Sequence, residues 1–243
     1  PPPIPKYLFH TTLTVIDQHN ETCGSVRTVH ILGTHTSLPA ARSFALNNAL
    51  QELNYTPSDF TSYTIHSSPA LTFNNHKTSD PSPTDNTLIT ALTPTGQTFL
   101  IGLSTKPNPP TGPSSSAPPL PASESPLTGL HYVVQHKTDY DQAKPDALFQ
   151  SSEIEGCYVR RADAMQAARE LLGGGGGGGH DRSEFVQYDE RGSSDDDDSG
   201  GEEEGGHWPF GRDVVVRAVG PTGVAYAVMV RTVKGARERF GKR

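Results

Sequence analysis

The chain has 243 residues, 33% of them hydrophobic, and a formal net charge of −7. This length allows one large domain or two small ones, and the apolar share falls below the roughly 45–50% of an ordinary globular domain. The acidic balance disfavours a nucleic-acid partner, since a phosphate-binding surface needs clustered Lys and Arg. No run approaches the roughly 18 apolar residues of a membrane span, so no membrane partner is expected.

The strand-rich opening Tyr7-Leu8-Phe9-His10-Thr11-Thr12-Leu13-Thr14-Val15-Ile16-Asp17 predicts a first strand. A second is expected over 26–32, closed by Gly33. Ser37 as N-cap and Pro39 in the first turn start a helix. Ala41, Ala45, Leu46, Ala49, Leu50 and Leu53 give that helix one buried face. A third strand is expected over 60–66. A hairpin follows over 87–92 and 98–103, across the turn Pro94-Thr95-Gly96, where proline presets φ and glycine tolerates a positive φ.

The rest of the chain repeats this order. Strands are expected over 130–137 and 154–159, a helix over 161–172, a short strand over 185–188, and a hairpin over 214–219 and 224–230 around Pro221-Thr222-Gly223. Seven glycines from Gly173 stop the helix. His30-Ile31-Leu32-Gly33 matches Glu153-Ile154-Glu155-Gly156, and Phe60-Thr61-Ser62-Tyr63 matches Phe185-Val186-Gln187-Tyr188. In an ideal strand the two aromatics of the latter pair, three apart, face oppositely. The expected fold is therefore α+β, two internally duplicated β-β-α-β-β-β units, each an antiparallel sheet with one helix packed on a face.

Residues 1–106 form the first repeat, with a disordered loop at about 67–85. Residues 107–127, with eight prolines, read as an extended linker. Residues 128–243 form the second repeat, with disordered glycine-rich and acidic insertions at about 173–182 and 192–206. The two small halves are expected to pack on each other to enlarge a modest core. The basic end, Lys234 to Arg243, reads as a solvated tail.

Chemistry-bearing motifs are sparse. His30 and His35, like His131 and His136, are five apart, which in a strand places them on opposite faces, so no metal is expected. The glycine run follows a helix instead of preceding one, so it is no phosphate loop. No cofactor is implied. If the chain were an enzyme, the candidates would be His131, His136, Glu153, Glu155, Cys157 and Tyr188: a Cys–His nucleophile pair, and carboxylates that matter only if buried in a cleft. Asp139 and Asp141 are further carboxylates of this kind. Cys23 and Cys157 read as free thiols of a reducing compartment, and the sequons at Asn20 and Asn54 carry little weight against that. Pro118-Pro119-Leu120-Pro121 and Pro2-Pro3-Ile4-Pro5 match the short pattern that polyproline-binding domains recognise.

Glu153-Ile154-Glu155-Gly156, Arg161-Ala162-Asp163-Ala164 and Trp208-Pro209-Phe210-Gly211 resemble uncharacterised proteins of filamentous fungi, over roughly the last 110 residues. That resemblance implies no catalytic residue. The expectation is a fungal, intracellular (cytoplasmic or nuclear), non-catalytic binding or scaffolding protein with protein partners. The alternative is an enzyme or small-ligand binder with a site in a cleft between the two repeats. Nucleic-acid binding through the basic end ranks third.

Overall fold

A computed structural model describes residues 4–17, 26–66, 86–108, 119–140, 148–174, 181–192 and 208–242. The expected loop at 67–85, most of the glycine and acidic insertions, Cys23, Asn20, Asp141, Pro2, Pro3 and Pro118 lie outside these residues. The chain divides into two compact units: the first contains residues 1–110, 118–130 and 232–243, and the second contains 131–231.

Unit 1 holds β1 (Tyr7–Asp17), β2 (Val26–His35), α1 (Leu38–Asn47), β3 (Ser62–Ile65), β4 (Thr87–Leu92) and β5 (Thr98–Pro107). Unit 2 holds β6 (His131–Tyr140), β7 (Leu148–Tyr158), α2 (Arg161–Gly173), β8 (Gln187–Glu190), β9 (Val214–Val219) and β10 (Ala225–Thr232). The two antiparallel sheets have the orders β2-β1-β5-β4-β3 and β7-β6-β10-β9-β8, the same topology in the same chain order. A last helix, α3 (Val233–Phe240), follows β10 directly and belongs to unit 1.

The correspondence reaches single residues. In sheet one, Thr11 faces Gly33 and Thr12 faces Ile31, leaving Leu32 as an extra bulge residue. In sheet two, Val133 faces Gly156 and Val134 faces Ile154, leaving Glu155. A second bulge leaves Leu88 extra in β4 and Val215 extra in β9. The hairpin turns also coincide. Gly96 and Gly223 both have φ 84, and Gly96 N bonds Thr93 O at 3.0 Å as Gly223 N bonds Gly220 O at 3.0 Å. That φ is open to glycine and strained for other residues.

Alternation along the strands decides what is buried. Leu13, Val15, Ile89, Phe99, Ile101 and Leu103 share the helix-bearing face of sheet one and pack with Ala41, Phe44 and Ala45 of α1. In unit 2, Val133, Val216, Ala218, Val228 and Val230 pack with Ala164, Met165, Ala168 and Leu172 of α2. The opposite faces carry buried residues as well: Leu8, His10, Ile31 and Thr34 in one sheet, Tyr132, Val134, Ile154 and Cys157 in the other.

Several local expectations change. Gly33 does not end β2, which runs on to His35. The glycine instead admits the Phe44 ring, since a Cβ there would meet Phe44 Cε1 at 2.9 Å. Phe60 and Tyr63 do not face oppositely. Phe60 caps a 3-10 turn at Pro57–Asp59, ahead of the strand, and both rings reach the same core with centroids 6.2 Å apart. Phe185 and Tyr188 repeat this at 6.1 Å. Helix α1 starts as expected, with Ser37 accepting from Ala40 N. Arg160, at the matching position of α2, makes no side-chain cap and forks its guanidinium onto Asp163 at 2.7 and 2.8 Å.

The two segments expected as linker and tail are structured where described. Asn108 bonds Leu120 in both directions, at 2.8 and 2.9 Å. Thr36 Oγ1 donates to Ser123 O, and Leu127 N donates to Thr34 O. The basic end is not a solvated tail: α3 buries Ala236 and sets the Phe240 ring 4.6 Å from His30 and 6.5 Å from Phe99. Arg237 pairs with Glu52 at 2.6 Å, Lys242 pairs with Asp59, and Asn54 Nδ2 donates to Lys242 O. Among the described residues, no helix is long and apolar enough to cross a membrane.

Candidate functional site

The six candidate residues all lie in unit 2, and its sheet separates them. His131 pairs with Tyr158, and Cys157 pairs with Tyr132, one step along both strands. His131 and Cys157 therefore point to opposite faces. His136 shares the Cys157 face but sits four residues beyond Tyr132, roughly 13 Å away at about 3.3 Å per residue. No Cys–His pair forms. Burial pushes the Cys157 thiol up to about 12, the reverse of what an attacking thiolate requires. Cys157 is an unbridged, buried small hydrophobe.

Glu153 lies opposite Gln135 and is exposed, while Glu155 is the bulge residue and is half-buried. Tyr188 is on β8, at the far edge of the sheet from β7. Four strand spacings of about 4.8 Å separate those edges by about 19 Å. The Tyr188 phenol is raised, first by burial and then by Glu190, so it stays protonated.

The geometry does bring together His136 and Ser152, whose Nδ1 and Oγ are 2.7 Å apart across β6 and β7. Burial and the nearby Arg231 hold this imidazole below its usual range. His131 is lowered in the same way, by burial and then Arg161. A neutral imidazole beside a hydroxyl is one half of a proton-relay pair, but no third group orients it among the described contacts. No sequence signal marked Ser152, since β7 begins at Leu148, six residues before the strand expected over 154–159.

A denser cluster at the β8 edge was not legible beforehand. Glu190 receives Arg169 at 3.5 Å and also Arg182, whose guanidinium lies 4.8 Å from the Tyr188 ring centroid. Gly173 lets the end of α2 close over this cluster, since a Cβ there would meet Tyr188 Oη at 2.5 Å. Two guanidinium cations on one carboxylate outweigh its charge and tie the end of the helix to β8, which makes a structural clamp. The matching positions of unit 1 are Leu46, Pro57 and Ile65, apolar throughout. No group of three or more His, Cys, Asp or Glu suited to a metal occurs among the described residues.

In comparison with known proteins, the chain matches no family model, no curated protein and no solved structure.

Proposed function

We propose that the chain is a non-catalytic binding or scaffolding protein that works through protein partners in the cytoplasm or nucleus. The separation of Cys157, His131 and Tyr188 across both faces and both edges of one sheet carries this reading, because acid–base and nucleophilic chemistry need reacting groups within about 3 Å. The buried, unbridged Cys157 suits a reducing compartment. Pro118-Pro119-Leu120-Pro121 is the proposed motif for a polyproline-binding partner. Its described part is held by Asn108 on Leu120, which limits the rotamer and backbone entropy lost on docking.

Affinity capture from lysate tests this, comparing the full chain with a variant carrying Pro118→Ala, Pro119→Ala and Pro121→Ala and with one lacking 195–204. Substitution is preferable to deleting 107–127, whose end is hydrogen-bonded into unit 1. Loss of a stoichiometric partner in the first variant is the expected result. A substrate turnover abolished by His136→Ala would overturn the non-catalytic reading.

A further inference from the structure

The duplication shows which parts of a unit its fold calls for. Unit 2 sets five strands in the same order as unit 1 and packs one helix on the sheet, and it carries no second helix among its described residues. Unit 1 has that same frame with α3 added. The frame is therefore complete without α3. The helix takes its seat along β2 and the 3-10 turn Gln51–Leu53, and the counterpart seat in unit 2 holds no described helix. What holds α3 also differs from what holds α1. Helix α1 buries Ala41, Phe44 and Ala45, whereas α3 buries Ala236 alone and exposes Lys234, Gly235, Arg237, Glu238 and Arg239. Phe240 adds a half-buried ring against His30 and Phe99.

We propose that α3 is an ion-held strap, a helix that opens from unit 1 as a block while the five-stranded sheet beneath it stays folded. Its other contacts are polar and lie at the surface. Arg237 and Glu52, 2.6 Å apart, keep 46% and 36% of their side chains exposed. Lys242 pairs with Asp59, at 49% and 21%. The turn after the helix is pinned by Lys242 N on Leu53 O at 2.8 Å and by Asn54 Nδ2 on Lys242 O at 3.1 Å. Exposed ion pairs of this kind hold weakly and are screened by salt. Lys242, ahead of Thr56, holds the Asp59 carboxyl at about 2. That pair therefore keeps both charges at neutral pH, and ionic strength is the variable that loosens it. Helix and turn let go together, because eight residues do not stay helical once undocked and Gly235 weakens the first turn further. Release lifts the Phe240 ring from His30 and Phe99, which are 4% and 1% exposed with the strap closed. It thereby opens an apolar strip of unit 1 to solvent. This device is independent of the binding reading above and stands or falls without it.

Native-state amide exchange on the full-length protein tests the strap, with protection factors followed in urea well below the unfolding midpoint. Amides of α3 are expected to open with little urea dependence, and those of β1 and β5 through global unfolding with a steep one. Raising salt from about 0.05 M to about 0.5 M should lower α3 protection at least ~threefold and leave β1 and β5 within ~twofold. The variant Glu52→Gln/Lys242→Gln should show that lowered α3 protection already at the low salt, and should lose most of the salt response. Protection in α3 equal to that of β1 and β5, with the same urea dependence, would overturn the proposal, because the helix would then open only with the sheet. So would α3 protection that ignores both salt and the double variant. Loss of β1 and β5 protection in the double variant would overturn it as well, by making the two ion pairs part of the frame.

Discussion

Unit 1 carries His30 and Leu32 where unit 2 carries Glu153 and Glu155, and α3 lies over the first pair alone among the described elements. Strand order, both bulges and the hairpin turn are otherwise the same. The contrast teaches that backbone geometry was kept by the residues that build it, while the outer strand at the β2 and β7 edges was free to change polarity. At the other edge Leu46 and the exposed Ile65 of unit 1 stand where unit 2 places Arg169 and Glu190: unit 1 carries apolar side chains where unit 2 builds an ion network.

The largest test is a reciprocal exchange. Leu32→Glu buries a carboxylate in the unit 1 core and should cost that unit at least ~3 kcal/mol. Glu155→Leu should change unit 2 by less than ~1 kcal/mol. Chemical denaturation followed by amide signals assigned to each unit reads both, and equal costs would end the distinction between the seats.

Next is acid. His10 is fully buried, its Nδ1 2.8 Å from Thr34 Oγ1, and burial followed by Lys106 lowers it to about 3. Its folded value lies below the unfolded one of about 6.5, so the unfolded chain takes the proton first. The stability is complete above pH 6.5 and is lost as pH falls toward 3, with a slope of up to ~1.4 kcal/mol per pH unit from this one group. Tyr132 holds the matching position in unit 2 and adds no such slope, although His131 and His136 add their own. His35, also in unit 1, is lowered by burial and adds its own share, so His10→Gln should remove only the His10 part of the unit 1 slope in a pH series of melting curves, and an unaltered slope would refute it.

A smaller effect comes from Phe240→Ala, which removes a half-buried ring beside His30 and Phe99. It should cost ~2 kcal/mol, read as faster amide exchange in β2 with β7 unchanged. Smallest and symmetric are Gly96→Ala and Gly223→Ala. Each forces a side chain to φ 84 and should cost ~1 kcal/mol. Values differing by more than ~0.5 kcal/mol would show that the two turns are not equivalent.

The duplicated sheets were legible because their signals are local. Alternation set Thr87–Leu92 and Val214–Val219 to the residue, and Pro-Thr-Gly marked both turns. Gly33 and the pair Phe60 and Tyr63 misled because a glycine inside a strand and a capping aromatic depend on what approaches them: the Phe44 ring in one case, a 3-10 turn in the other. The candidate site residues were chosen by type, and type says nothing about edge or face once a bulge intervenes. Glu153 and Glu155 flank Ile154 as an apparent pair, yet Glu155 is the bulge residue and Glu153 lies opposite Gln135.

By itself, the sequence determined the repeat, its α+β class and the order of the strands, because period-2 burial and turn chemistry act within a few residues, while several strands run on past their expected ends. Only the tertiary structure decided that Val233–Phe240 is a helix of unit 1. Eight residues cannot hold a helix alone, since nucleation costs more than two turns of hydrogen bonds return. Its stability comes from Phe99, His30 and Glu52, more than a hundred residues earlier in the chain.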